Sequence, residues 1–455
     1  MGMLDLLMAP LLMGLVIGLG YYLRPWFTDP TIRPYFIWAL LAKIGGALAV
    51  GFVYQFYYGG GQPSGDTFNY HQNADIIYQA FGDDPAVGLQ LLLARGEYTP
   101  EIFIYATRMY WFRSPTEYFI IRIIAVLGLL TFHSYTAIAI LFAVLSFSGV
   151  WAMYRTFYKF YPKLHLQLAI AILFVPSVVF WGSGILKDTI TLGALGWATW
   201  AIVRVFFERK SLLASGFILL FALYTIYSIK IYIVLCFLPP ALLWVFFSFS
   251  SQISSPAIRW MITPFVLAVT AVVGYYAIVK VGEDNSQYSL DKVSETAEIT
   301  ARYLAYMGES QGGSVYTLGD FDFSPTGMLR KFPLAVNVTL FRPYLWEAYN
   351  PVMLLSALES FGTLLLTLYV IYRAGIVRAF RLVLGNPIIL FCLLFAIAFS
   401  FAVGISTYNF GSLVRYKIPM FPFYLSGLFI LWFHANEREK VIYQQTRSNH
   451  STISS

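Results

Sequence analysis

Twelve runs of apolar residues, each close to the length that crosses a bilayer, leave this chain few ways to fold. They are Leu4 to Tyr22, Pro34 to Tyr57, Tyr118 to His133, Tyr135 to Tyr154, Leu166 to Trp181 and Thr189 to Phe207 in the first half. Leu212 to Ser228, Ile231 to Phe249, Ile262 to Val281, Pro351 to Tyr372, Pro387 to Ile405 and Ile418 to Phe433 follow. Hydrocarbon offers no water to a backbone N–H or C=O, so such runs become helices, which close their own hydrogen bonds. Composition agrees, with 58% hydrophobic and 12% charged residues in 455. The expectation is an all-α polytopic membrane protein with about 11–13 transmembrane helices and two large extracytoplasmic loops.

The net charge of +7 does not point to nucleic acid, because the basic residues are dispersed through short loops between apolar runs. Arg155, Lys159 and Lys163, then Arg204, Arg209 and Lys210, then Arg373, Arg378 and Arg381 mark three loops expected in the cytoplasm. Alternation puts the Ser183 to Asp188 turn, the Gly282 to Trp346 loop and the Ser406 to Lys417 turn on the outer face. The Gly59 to Glu117 loop carries seven acids against three arginines, which suits that face too. Parity objects, unless the runs between Tyr118 and Tyr154 make one crossing plus a half-buried segment, or Pro100 to Phe112 dips into the membrane; otherwise Asp66 is cytoplasmic. The first run lacks a basic leader and a small-residue cleavage site, which reads as a retained helix. Cys236 and Cys392 lie in apolar runs and read as packed thiols. Residues 1–434 form the expected membrane domain, and the polar tail after it is expected to be disordered.

The polar stretch with the strongest claim to chemistry is GGGQPSGDTFNYHQNA, Gly59 to Ala74, with Asp66 at its centre. A carboxylate just past a membrane run is a candidate general base; Tyr70 and His71 follow at a spacing that can share its helix face. Capping of the following helix is the competing reading for Asp66, and a structural hydrogen bond is the better one for His71 taken alone. Pro176 to Asp188, PSVVFWGSGILKD, reads as a broken helix ending in Ser183, Lys187 and Asp188, where adjacent opposite charges can simply satisfy each other. FRPYLWEAYN supplies Arg342 and Glu347; RYKIPMFPF supplies Arg415, Tyr416 and Lys417, as interfacial anchors or as phosphate ligands. Glu359 falls within hydrocarbon and needs a partner, for which Lys43 or Arg122 is the expectation. Asp320 and Asp322 form a weak match to a metal-binding DxD pair. The 282–346 loop reads as a lid over the site. Acids and cations gathered at one membrane surface suit glycosyl transfer from a lipid phosphate, which needs a base for the acceptor hydroxyl and cations for the departing phosphate.

GDTFNYHQNA (Gly65 to Ala74), PSVVFWGSGILKD and RYKIPMFPF resemble segments of the membrane-integral glycosyltransferases of the GT-C superfamily, in their bacterial branch. The resemblance implies a polytopic helical fold in the bacterial inner membrane and a catalytic aspartate, here Asp66, in the first large outer loop. It also implies a polyprenyl-phosphate-linked sugar donor, a glycan, lipid or protein acceptor, and transfer with inversion. Asp66 follows the second apolar run where that family's aspartate follows the first, so this chain would carry an extra helix. No second acid can be placed, which leaves a divalent metal, Mg or Mn, open. A polysaccharide polymerase or ligase would use a similar site. A transporter or flippase is the rival from another class, motivated by Lys43, Arg122, Glu359 and the broken helices.

Overall fold

The computed structural model describes residues 3–250, 293–310, 315–319, 321–348 and 350–436. Among them the only pairing outside helices and turns is an isolated bridge between Val315 and Asn409. Among the described residues seven helices are long and apolar enough to cross a bilayer, and an eighth crossing results if the bent pair Phe410–Tyr416 and Phe421–Asn436 counts as one. The protein is thus an all-α, multi-pass membrane protein. The twelve expected runs reduce to these eight for identifiable reasons. The runs from Leu212 and Ile231 are two helical arms that meet at a kink at Lys230, within one 39-residue element. Leu166 to Trp181 is split by Phe174 and Val175 into helices of nine and six residues. Tyr118 to His133 becomes a 17-residue helix, and Ile262 to Val281 lies outside the described residues, as does the tail from 437.

The chain forms two compact units, Met1–Phe160 with Ile172–Ile231, and Tyr161–Ala171 with Tyr232–Ser455. In the first, α1 (Met3–Phe27) and α2 (Arg33–Phe52) lead through a π-helical turn, Val53–Tyr57, into the polar loop. That loop is itself helical: α3 (Gly65–Asp83), α4 (Pro85–Leu93), α5 (Phe103–Ala106) and α6 (Pro115–Thr131) pack around Phe68, Ile77, Leu91, Met109, Ile120 and Ile124. Phe132 and His133 then take left-handed backbone angles, a sharp reversal into α7 (Tyr135–Phe160). Asp5 of α1 fastens this corner, accepting from Ser134 Oγ at 2.6 Å and Thr136 N at 3.1 Å. After α8 (His165–Leu173), Pro176 starts α9 (Pro176–Trp181), and the chain is non-helical until α10 (Lys187–Ile202). Here α7 and α10 approach backbone to backbone, since a Cβ on Gly149 or Gly196 would overlap the carbonyl oxygen of Gly193 or Gly149. The unit closes with the first arm of α11 (Leu212–Ser250).

In the second unit the other arm of α11 stacks Trp244 on Phe391 (4.8 Å between ring centres) and sets Phe237 edge-on to Phe395. α12 (Val293–Ser310) is followed by the short helices α13 (Pro325–Arg330) and α14 (Phe332–Phe341). Asn350 caps α15 (Pro351–Ala374), accepting from Met353 N at 2.8 Å. Gly375, at φ 73°, turns the chain into the short α16 (Ile376–Gly385). Asn386 then caps α17 (Pro387–Ser406), and α18 (Phe410–Tyr416) meets α19 (Phe421–Asn436) at 65°. Part of the expected lid is fixed here: Tyr316 N donates to Tyr408 O and Tyr316 Oη to Gly404 O, both at 3.1 Å. Residues 282–292 and 311–314 of that loop lie outside the described residues.

Candidate functional site

The candidate residues fall into one group in each unit. Asp66 stands in the first turn of α3 and is half-buried. It does not cap the helix, because Ser64 occupies the N-cap and Gly65, at φ 71°, begins the helix between them. An acid in the first turn still gains from the positive helix end. Ser64 spends its hydroxyl on Tyr54 O, and the Tyr54 ring lies where a Gly65 side chain would be. The same ring meets Trp181, the last residue of α9, edge-on at 6.3 Å. The Asp66 turn and the break between α9 and α10 thus border one tyrosine.

Tyr70 and His71 do not share Asp66's polar face. Tyr70 is buried, its ring tilted on Trp111 at 4.8 Å. His71 stacks on His133 at 4.1 Å, and each ring bonds the other residue's carbonyl, at 3.0 and 3.2 Å. Burial, and then the neighbouring His133, push the His71 pKa down to about 4, so the ring is neutral at pH 7. Asp75 lies 3.6 Å from His133.

At the α9–α10 break, Ser183 is buried and donates to Val179 O. Lys187 and Asp188 do not satisfy each other. Lys187 pairs with Glu117 and donates to Thr116 Oγ1 at 2.9 Å. Burial would raise the Glu117 pKa, but Lys187 and the hydroxyls of Ser114 and Thr116 outweigh it and hold the carboxyl below its usual range. Asp188, fully buried, pairs with Lys230 at the irregular point of α11. Lys43 also ends on this break, donating to Gly182 O (2.7 Å), Val178 O and Ser146 Oγ (both 3.2 Å). Arg122 donates to Ala94 O and lies over the Tyr118 ring. Both expected partners of Glu359 are therefore committed elsewhere, and Glu359 lies instead within charge attraction of Lys417.

The second group is built on the residues before α15. Arg342 grips Glu347 in a fork, with Nε 3.1 and 3.0 Å from the two carboxylate oxygens and Nη2 on one of them. The fork holds the Glu347 carboxyl below its usual range against the opposing effect of burial. Phe410, Tyr316 and Tyr344 surround the guanidinium at 5.0, 5.7 and 5.7 Å. Trp346, 81% exposed, stacks on Tyr344 at 4.9 Å. Lys417 is not a surface anchor: it is buried between α18 and α19, donating to Arg342 O (3.2 Å) and Ser360 Oγ (3.0 Å). Arg415 lies 6.0 Å from the neighbouring Tyr416 ring, and both are half-buried.

No known protein family, no characterised protein and no solved structure matches this chain.

Several participants were missed in the sequence. Glu117 counted only as one acid among seven, although Ser114-Pro115-Thr116-Glu117 is a helix-start pattern that puts its carboxylate in the first turn. Lys230 is the only charge in a 39-residue apolar helix, which was signal enough to ask for its partner. Tyr54, Tyr316 and Tyr344 carried no signal amid 33 tyrosines. Among the described residues, no three His, Cys, Asp or Glu side chains group as a metal site would. Asp320 lies outside the described residues; Asp322 is exposed and accepts from Ser324.

Proposed function

We propose that this protein is a glycosyltransferase that moves a sugar from a polyprenyl-phosphate carrier to a cell-envelope acceptor, in a bacterial cytoplasmic membrane. The observation that carries the proposal is the meeting at Tyr54 of the Asp66 turn with the Trp181–Lys187 break. It joins, within one unit, a half-exposed carboxylate and a helix break that ends in a cation. In the reaction proposed, Asp66 takes the proton of the acceptor hydroxyl as its oxygen bonds the anomeric carbon. The bond from that carbon to the phosphate oxygen breaks, the phosphate keeps the electron pair, and a single displacement inverts the centre. Lys187, released from Glu117, is assigned to the departing phosphate. Arg342, Glu347, Arg415, Tyr416 and Lys417 belong to the other unit and are given no step in this reaction.

The test compares wild type with Asp66→Asn in lipid, on a panel of polyprenyl-phosphate sugars. The swap keeps the size of the side chain and removes the base. The expected result is one consumed donor, an inverted product by NMR, and a rate about a hundredfold or more lower in a variant that still binds donor. Equal rates would remove Asp66 from the chemistry.

A second reading, a transporter, is favoured by one observation. Lys43, Asp188 and Lys230 are buried charged side chains within helices of crossing length, gathered at the α9–α10 break and the irregular point of α11. It predicts solute movement that fails in Asp188→Asn while donor turnover is absent.

A further inference from the structure

α6 is apolar on nearly every side. Its inner side, with Ile120, Ile121 and Ile124, is fully buried in the core of the first unit. Its other side carries Phe119, Ile123, Val126 and Leu130, at spacings that align them in one stripe. Between Tyr118 and Thr131 the helix has a single charged residue, Arg122, and its guanidinium is drawn back to donate to Ala94 O and lie over the Tyr118 ring. A helix that borders water turns polar residues outward, and this stretch has none to turn. α4 shares the pattern. Tyr118 Oη donates to Leu91 O at 2.5 Å, so that bond and the one from Arg122 tie the end of α4 to the start of α6. Leu89 and Leu93 of α4, one turn apart, and Val126 and Leu130 of α6 are between 45% and 72% exposed.

Two contacts fix where this apolar surface lies. In the first turn of α6, Glu117 pairs with Lys187, the first residue of α10. Two residues on, the Phe119 ring meets Tyr224 of α11 edge-on at 6.3 Å. Tyr224 is about 18 Å from the start of α11 at Leu212 and about 9 Å from Lys230, well inside a helix of crossing length rather than at its end. It belongs to the exposed apolar side of that helix, with Phe217, Leu220 and Phe221. The stripe is thus continuous with a surface that a crossing helix turns to lipid. α7 and α10 run in the same direction, since Ser146 and Gly149 meet Gly193 and Gly196, and further along Phe160 meets Phe207. Their first residues, Tyr135 and Lys187, therefore face one side of the membrane. α6 is fastened to Lys187 at its start and leads through Phe132 and His133 into Tyr135 at its end, so it begins and ends on that side.

We infer that α4 and α6 are half-sunk in one leaflet of the bilayer, with Leu89, Leu93, Phe119, Ile123, Val126 and Leu130 against its acyl chains. α6 is then the half-buried segment that the parity of the crossings calls for, an interfacial helix rather than a span. α3 packs on both α4 and α6, so Asp66 stands on a body that borders lipid, and an amphiphile reaches that body without leaving the membrane. The inference needs neither the transferase nor the transporter reading.

Spin labels on single cysteines test it, in the full chain carrying Cys236→Ala and Cys392→Ala and reconstituted in liposomes of phosphatidylcholine and phosphatidylglycerol. Leu93→Cys and Leu130→Cys report on the stripe, Tyr224→Cys on the apolar side of α11, and Glu97→Cys, in the same loop as α4, on water. All four positions are exposed, so the fold bears the label. Collisions with oxygen, which concentrates in hydrocarbon, are compared with collisions with a water-soluble nickel chelate. The expected result is an oxygen-to-nickel ratio at positions 93 and 130 that matches position 224 and stands severalfold above position 97. A ratio at 93 and 130 no higher than at 97 would overturn the inference by placing the stripe in water. Few collisions with either reagent at 93 and 130 would overturn it too, by covering the stripe with protein, whether another segment of the chain or a second copy.

Discussion

At the scale of single residues, the buried charges are what the fold can least afford to lose. Asp188 and Lys230 are at most 9% exposed and hold each other. Removing one partner leaves the other charge uncompensated, so Asp188→Asn should lower stability by about 3–5 kcal/mol, seen as a fall in thermal midpoint in detergent. Asp188→Leu combined with Lys230→Met should recover most of it; a double variant as unstable as the single would mean that the ion pair is not the origin of the loss. His71 gives a prediction in pH. The unfolded chain binds a proton on this ring near pH 6.5, while the folded ring refuses it until about 4. Stability from this residue is therefore complete above about pH 6.5 and is lost progressively as pH falls toward 4. His71→Gln, which can still donate to His133 O, should reduce that acid slope in a pH series of thermal midpoints. An unchanged slope would move the acid sensitivity to another group. The sequence showed these side chains as isolated charges or rings. Their partners lie 42 residues away for Lys230 and 62 for His71, at distances local pattern does not encode.

At the scale of elements, crossing-length helices were legible because apolar length is a local property, and breaks were legible where proline or glycine caused them. Pro176 does begin a separate helix, and the Ser183 to Asp188 stretch does interrupt the span. The break at Lys230 was legible as the gap between the runs ending at Ser228 and beginning at Ile231, whereas Pro239 and Pro240, the residues that break helices by themselves, lie within the continuous second arm. Lys230 itself makes the ion pair with Asp188, a tertiary contact. The contact of α7 with α10 depends on Gly149, Gly193 and Gly196, which no amphipathic pattern announces in helices buried on most sides. Gly149→Val would drive a side chain into the Gly193 backbone, which cannot step aside as a flexible side chain can. It should cost about 1–3 kcal/mol or more, and Gly14→Val, whose Cβ meets nothing, should cost far less in the same thermal assay. Equal losses would contradict the close approach of α7 and α10.

At the scale of the whole molecule, the class of fold followed from the run lengths and the distribution of charge, as hydrocarbon requires. The site was legible in part. Motif reading selected the Asp66 turn and the α9–α10 break, which the fold brings to Tyr54. It also put Tyr70 and His71 on a polar face, where the structure buries Tyr70 and gives His71 the structural hydrogen bond that was the better reading for it alone; mutual satisfaction of Lys187 and Asp188, one of two readings of that pair, gives way to the pair of Lys187 with Glu117. A helical period fixes which residues share a face but not which face meets protein; for α3 that is decided by packing against α4 and α6 and, at Tyr70 and His71, by Trp111 and His133. The transferase account makes one demand that a transporter does not. Purified protein in proteoliposomes, given polyprenyl-phosphate sugars and an envelope glycan acceptor, must consume a donor and release free polyprenyl phosphate, measured by mass spectrometry. The account predicts that release with one sugar of the panel, in step with glycosylated acceptor. No release from any donor, with a solute crossing the same liposomes, would contradict it.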